Sequence, residues 1–177
     1  MANDILPEKW MKGVAITTTV LAVLTAIASS RAAYCVAQSQ VLTAQEGSKW
    51  AFFQAKSIKQ NIMESQLKVF EIDALGSEKP HNQKMLLEET INLYRSDIAR
   101  YDQEKGDIKA DAEDTGKKNT RLSKQGAQYA LSVVFFQIGI MLSSVSALLK
   151  RKEMWVVGII MGAIALVFLV NGIFLLF

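Results

Sequence analysis

The stretch Trp50-Ala-Phe-Phe-Gln-Ala-Lys-Ser-Ile-Lys59 is where this sequence comes nearest to chemistry. Lys56 and Lys59 stand three residues apart, and a neighbouring cation or burial is what turns a lysine into a nucleophile near neutral pH. No candidate acid or carbonyl pocket accompanies them. On a helix, Trp50, Phe53, Ser57 and Asn61 share one side, Ala51, Ala55, Ile58 and Ile62 share another, and Lys49, Lys56 and Lys59 form no single ridge. Helix packing with an aromatic shoulder is the expected role, and a subunit or partner contact the next. Trp50, Phe53, Gln54, Lys56, Ser57 and Lys59 are therefore the candidate interaction residues.

The remaining reactive types are sparse. His81 is the single histidine and Cys35 the single cysteine, so there is no intramolecular disulfide and no Cys-based zinc site. Cys35 reads as a small apolar residue on a helix. Asp107, Asp111, Glu113 and Asp114 lack the spacing and turn glycine of a calcium loop and read as a solvated face. The chain carries no G-x-S-x-G, P-loop, G-x-G-x-x-G or H-E-x-x-H pattern. No catalytic, cofactor-binding or metal residue is assigned, and an enzyme is not expected.

The elements that hold these residues follow from where the apolar residues lie. Half of the 177 residues are hydrophobic, and they crowd into the first forty and last fifty positions. Residues 43–128 hold 14 Lys/Arg and 14 Asp/Glu, so the net charge of +3 comes from the flanks. A balanced middle argues against nucleic acid, which needs a one-signed surface.

Three apolar runs are long enough for the roughly 20 residues of a membrane span. The first is residues 13–30, preceded by Trp10, and it reaches that length over 11–34 with Arg31 snorkelling to the headgroups. A cleaved leader is its rival reading; an uncleaved anchor is expected. The second is residues 129–149 and the third residues 154–177. The basic link of residues 150–153 between them is so short that they must form an antiparallel hairpin.

The middle reads as helix. Val41, Ala44, Ser48, Ala51, Ala55, Ile58, Ile62, Ser65, Val69 and Ile72 alternate three- and four-residue steps, as a coiled-coil seam does. The early members are small, so a partner could approach closely. Gly76 and Pro80 give a stop and a restart. A second arm carries Leu87, Ile91, Tyr94, Ile98, Tyr101, Lys105, Ile108 and Ala112 at the same alternation, and Asp114-Thr115-Gly116 is predicted to break it. Fully helical arms would each reach roughly 70 Å, and their equal lengths suit a chain that leaves and re-enters one membrane face.

The expected fold is thus an all-α membrane protein: an N-terminal tail and span over 1–42, a long antiparallel, coiled-coil-like helical hairpin over 43–128 with its tip near 76–81, and two spans joined by the 150–153 turn over 129–177. Lys9, Lys12 and the basic turn place the N-terminus and that turn in the cytoplasm and the hairpin outside; Lys117, Lys118, Arg121 and Lys124 pull the opposite way.

Within the spans, Ala15, Thr19, Ala22, Ala26, Ser29 and Ala33 form a small-residue stripe, Gly158 and Gly162 a GxxxG, and Gly139 and Ser143 a weaker version. Such residues let helix backbones meet in lipid. Gln137 and Asn171 are polar groups inside apolar runs and need partners there. No Asp, Glu or His lies in the second or third span, which counts against a proton relay.

With these residues in hand, the chain resembles a bacterial family known only as a domain of unknown function, whose members are small three-span proteins. The resemblance rests on residues 50–59, on Phe135-Phe-Gln-Ile138 and on the basic link to Trp155, and it covers nearly the whole chain. It implies a bacterial membrane protein of no established reaction, and it gives Trp50, Gln54, Lys56, Ser57 and Lys59 a significance beyond packing.

Together these readings lead to a non-enzymatic, multi-pass protein of the bacterial inner membrane, homo-oligomeric through its small-residue faces and acting as a scaffold or interaction module. The bilayer and copies of the same chain are the expected partners. The alternative is a pore lined by residues such as Gln137, Asn171 and Thr17-Thr-Thr19.

Overall fold

The computed structural model describes residues 9–76 and 80–174. Three helices account for nearly all of them: α1, Lys9–Ala74; α2, His81–Leu149; and α3, Lys152–Phe174. No strand occurs among the described residues. Each helix contains a segment long and apolar enough to cross a membrane. Pro80, the one proline among the described residues, lies outside the three helices, so no described helix interior loses a backbone donor.

The helix ends follow local chemistry. At the end of α1, Leu75 and Gly76 donate to the carbonyls of Ile72 and Asp73, the i→i+3 tightening that satisfies orphan carbonyls. Residues 77–79, the centre of the expected tip, lie outside the described residues. The Pro80 carbonyl then accepts from Gln83 and Lys84 and opens α2. At the other end, Lys150 takes a left-handed φ of 53°, and the Arg151 N–H donates to the Ser146 carbonyl at 3.2 Å. This is the 6→1 bond of a Schellman cap, with a lysine where glycine usually sits.

One break expected from sequence is absent: α2 runs unbroken through Asp114-Thr115-Gly116. Thr115 returns its hydroxyl to the Asp111 carbonyl at 2.8 Å. A Cβ on Gly116 would lie 2.7 Å from Glu46 Oε1. That glycine provides space for a neighbouring side chain and does not end the helix.

The chain divides into two compact units. The first comprises Met1–Val41 and Asn119–Phe177, the segments carrying the apolar runs. Its core gathers Leu21, Ala28, Phe136 and Ala165, packed by Leu24, Val133, Phe135, Ile140 and Leu169. Phe135 stacks on Phe168 with centroids 5.4 Å apart. On α1 the buried positions Val14, Leu21, Ala28 and Cys35 recur every seven residues, the repeat of a coiled-coil seam. The second unit is Leu42–Lys118, formed by the distal part of α1 and the first part of α2.

In the second unit the paired residues run in opposite directions along the chain. Lys49 meets Asp111, Lys56 meets Glu104, Tyr94 donates to Gln66, and Glu71 meets Arg95. The inward residues of α2 are those the alternation indicates: Ile91 and Ala112 are buried, and Leu87, Tyr94, Ile98, Tyr101, Lys105 and Ile108 are half-buried.

The seam marked on α1 does not pair with the returning arm. Val41, Ala44, Ser48, Ala51, Ala55, Ile58, Ile62, Ser65, Val69 and Ile72 are all exposed. The inward face is instead Leu42, Glu46, Lys49, Phe53, Lys56, Gln60, Met63, Leu67 and Phe70, half-buried or buried and equally regular. Its members follow those of the other seam by one and two residues in turn, which at roughly 100° per residue turns the face by about 150°. The helix therefore bears two seams on opposite sides, and the more apolar one faces out.

Candidate interaction face and its charged interior

The Trp50–Lys59 stretch lies wholly within the second unit, and its side chains divide between the two faces of α1. Trp50, Phe53, Lys56 and Ser57 are half-buried, while Gln54 and Lys59 are exposed. Trp50 and Phe53 meet edge-on at 5.6 Å, the tilted geometry that aromatic quadrupoles favour. Lys56 is the centre of the cluster. It pairs with Glu104, and its ammonium sits 4.8 Å from the Tyr101 ring centroid and 5.6 Å from that of Phe52. Lys105 approaches the Phe53 ring at 5.9 Å. Two turns before Lys56, Lys49 bonds Thr115 Oγ1 at 2.8 Å and pairs with Asp111 at 2.8 Å.

These contacts explain why lysines can occupy an inward seam. Their methylene stems cover apolar surface while the ammonium reaches an acceptor near the rim, and an aromatic face supplies further attraction. The hydrogen bond from Lys56, followed by the fields of Lys56 and Arg100, holds the Glu104 carboxyl below the usual carboxylate range. The Lys118 ammonium does the same to Asp114, and Asp114 raises Lys118 in return. An ammonium engaged in this way acts as a charge that orients two helices. Gln60 is buried: its amide donates to Glu64 at 2.9 Å, and its Oε1 has no partner.

The sequence-marked acids are in part drawn into ion pairs, Asp111 with Lys49, Asp114 with Lys118 and Glu113 with Lys109. His81 is exposed at the first position of α2. Among the described residues no group of three or more His, Cys, Asp or Glu side chains is placed to hold a metal ion.

In the first unit the small residues separate into two sets. Gly158 and Gly162 are buried in helix contacts: a Cβ on Gly158 would lie 2.9 Å from the Gly139 carbonyl, and one on Gly162 would lie 2.7 Å from Leu21 Cδ2. Ala15, Thr19, Ala22, Ala26, Ser29 and Ala33 are exposed, so that stripe does not pack within the chain. Thr19 returns its hydroxyl to the Ala15 carbonyl at 2.9 Å. The two polar residues of the apolar runs also differ. Asn171 is buried at 1 % exposure, whereas Gln137 is exposed on α2. Two polar contacts escaped sequence reasoning: Ser132 Oγ donates to the Ala165 carbonyl at 2.9 Å, and Trp155 Nε1 donates to Thr17 Oγ1 at 3.0 Å.

The same unit holds a cavity of about 400 Å³ lined by Arg31, Tyr34, Cys35, Tyr129 and Ile173 among others. Cys35 is a free thiol, closely approached by Gly126, whose added Cβ would lie 3.1 Å from Cys35 Cβ.

The inward seam of α1 was legible in principle. Its three-and-four spacing is as regular as the other, and its lysines face acids at matching heights on α2. The signal that hid it was composition, because the outward seam is the more apolar.

Comparison with known proteins adds one assignment. No curated protein and no solved structure matches the chain. The model of one family, described as Domain of unknown function (DUF4337), matches residues 10–175. Since that match spans almost the whole chain, this protein belongs to the DUF4337 family.

Proposed function

We propose that this chain is a non-enzymatic membrane protein that works as a homo-oligomeric scaffold, anchored by three spans and presenting a coiled-coil-like helical hairpin. The observation that carries the reading is the regular face of small and apolar residues that α1 leaves exposed. In lipid, the exposed stripe Ala15, Thr19, Ala22 and Ala26 offers backbone approach to a neighbouring helix. In water, exposed Ile58, Ile62, Val69 and Ile72 offer apolar area to bury. The charged interior supports the same reading, since the ammonium groups of Lys49 and Lys56 are engaged with acids on α2.

The location consistent with this is the bacterial inner membrane, with the N-terminus and the 150–153 turn in the cytoplasm and the hairpin outside. Native mass spectrometry in mild detergent or nanodiscs tests assembly, with oligomers expected and monomer alone refuting it. Ala22→Leu/Ala26→Leu should weaken the assembly by clash. Labelling of single cysteines introduced at Leu75 and Glu153 in a Cys35→Ala background tests the topology, with the two sites accessible from opposite sides.

A pore is the second reading, favoured by the exposure of Gln137 within an apolar segment. Ion flux in liposomes that is unchanged by Gln137→Leu would remove Gln137 from any lining.

A further inference from the structure

The distal part of α1 places its less polar face outward. Inside the second unit it buries or half-buries Glu46, Lys49, Lys56 and Gln60. Outside, Ile58 is 60 % exposed, Ile62 52 %, Val69 63 % and Ile72 70 %. A helix with one partner turns its apolar stripe to that partner and its polar residues to water. Here the polar-bearing seam is occupied and the apolar seam is open. Scattered exposed hydrophobics need no explanation, but these recur in the strict three-and-four alternation that only another helix, running nearly parallel to the first, can match knob into hole.

The geometry points to a second copy of this chain as the occupant, docked by the same face of its own α1 in parallel and in register. Three observations select it. First, α1 begins with a segment apolar enough to span a membrane, so copies inserted alike run in the same chain direction. Second, the residues flanking the seam suit self-pairing. With the seam in register, Gln54 stands beside Lys59 of the second copy, Asn61 beside Gln66 of the second copy, and Lys68 beside Asp73 of the second copy. No like charges meet, and one pair is opposite in sign, the arrangement by which flanking positions choose partner and orientation. Third, Ala44, Ser48, Ala51 and Ala55 in the first half of the seam allow close approach, and β-branched Ile58, Ile62, Val69 and Ile72 dominate the second half.

The area suits a membrane-tethered contact. From Ala44 to Ile72 the seam runs roughly 42 Å at about 1.5 Å per residue, and a strip about 10 Å wide gives on the order of 400 Å² per copy. A standard stable interface takes about 800 Å² per partner. The remainder comes from confinement to one bilayer, which makes pairing effectively intramolecular.

This inference rests on the scaffold reading, and the experiment separates the two. In a Cys35→Ala background, Ile58→Cys and Ile72→Cys are oxidised in native membranes beside Leu93→Cys, an equally exposed control on α2. The seam variants should give a covalent dimer at least tenfold more efficiently than the control. Lys68→Asp should reduce Ile72→Cys cross-linking several-fold, and adding Asp73→Lys should restore it. Circular dichroism verifies that each variant keeps its helicity, as expected for exposed positions. Native mass spectrometry is run on the unaltered chain in parallel. Oligomers without seam cross-links, or with cross-links no stronger than the control, overturn this interface and leave the scaffold reading standing. Monomer alone overturns both. Protection of the seam cysteines by a different protein or by lipid, with no self-cross-link, also overturns it.

Discussion

Adding one methyl group at Gly158 tests whether the membrane-type unit is held by backbone contact. Alanine is the better helix former, and replacing a mid-helix glycine normally gains about 0.5–1 kcal/mol. At Gly158 the added Cβ would stand 2.7 Å from Ser143 Oγ and 2.9 Å from the Gly139 carbonyl oxygen. The serine hydroxyl can turn aside, having no hydrogen-bond partner to lose. The carbonyl cannot, because it belongs to the α2 backbone. The two helices must separate locally, and overpacking of this kind costs about 1–3 kcal/mol. The Ser132 bond to Ala165 lies along the same α2–α3 interface and would be stretched. The expected net is a loss of about 1 kcal/mol for Gly158→Ala, and a larger loss for Gly158→Leu.

Gly106 supplies the control of opposite sign, because a Cβ there meets nothing within 4 Å. Gly106→Ala should gain about 0.5–1 kcal/mol from helix propensity alone. Unfolding in mixed micelles, followed by circular dichroism across a denaturing-detergent titration, reads both variants. Gly158→Ala as stable as the unaltered chain would refute direct backbone contact as the reason for glycine at that position.

Three further outcomes follow from local chemistry. Lys150 holds a left-handed φ that costs a non-glycine residue about 1–2 kcal/mol, so Lys150→Gly should raise the unfolding midpoint, and Lys150→Val should lower it. Ser132→Ala removes a buried interhelical hydrogen bond and should lower stability in micelles by about 0.6 kcal/mol, the average for such bonds in membrane bundles. In the second unit, Glu104 and Asp114 have carboxyls depressed by Lys56 and Lys118. The unfolded chain therefore binds more protons as pH falls below the ordinary carboxylate range near 4, and stability drops through that window. Lys118 is raised by Asp114, so its contribution persists through neutral pH and is lost only in strong alkali; thermal melts across pH, with Glu104→Gln flattening the acid limb, check the sign.

Different features of this fold were legible in the sequence to different degrees, for physical reasons. The apolar runs and the short basic link mark helices long and apolar enough to cross a membrane, because length and composition alone set that requirement. Gly158 and Gly162 are found where a small-residue motif expects them, against another helix. The Ala15 stripe follows the same rule and yet faces away, because a small residue permits approach without specifying which helix approaches. The predicted break at Asp114-Thr115-Gly116 failed because glycine propensity is worth about 1 kcal/mol, less than the packing on either side. Gln137 and Asn171 looked alike in sequence; only the helix rotation sends one inward and the other out.

The inward lysines carry a further consequence for how the second unit chooses its alignment. Coiled-coil-like pairs can slip by seven residues while keeping each seam against its partner. Sliding α2 so that Lys56 faces Asp111 would bring Lys49 against Lys118 and Glu71 against Asp102. Sliding it the other way keeps acids opposite both lysines, at Glu104 and Asp97, but sets Glu71 against Glu88. The observed pairing of Lys49 with Asp111, Lys56 with Glu104 and Glu71 with Arg95 alone gives every one of these charges an opposite. Each exposed pair contributes only about 0.2–1 kcal/mol. A slip exchanges attraction for repulsion at one or two places, so the registers differ by an amount on the order of 1–2 kcal/mol. Glu88 is decisive against the second slip, because no lysine is disturbed in it and Arg95 would still face an acid, Glu64. Glu88→Lys should therefore populate the shifted register, because it turns that one repulsion into an attraction and leaves the observed pairs unchanged. In a Cys35→Ala background carrying Met63→Cys, a cysteine scanned along the facing stretch of α2 would find its best intramolecular cross-link displaced by one heptad. An unshifted cross-link with intact helicity would assign the alignment to the short turn between α1 and α2 and remove the charges from that role.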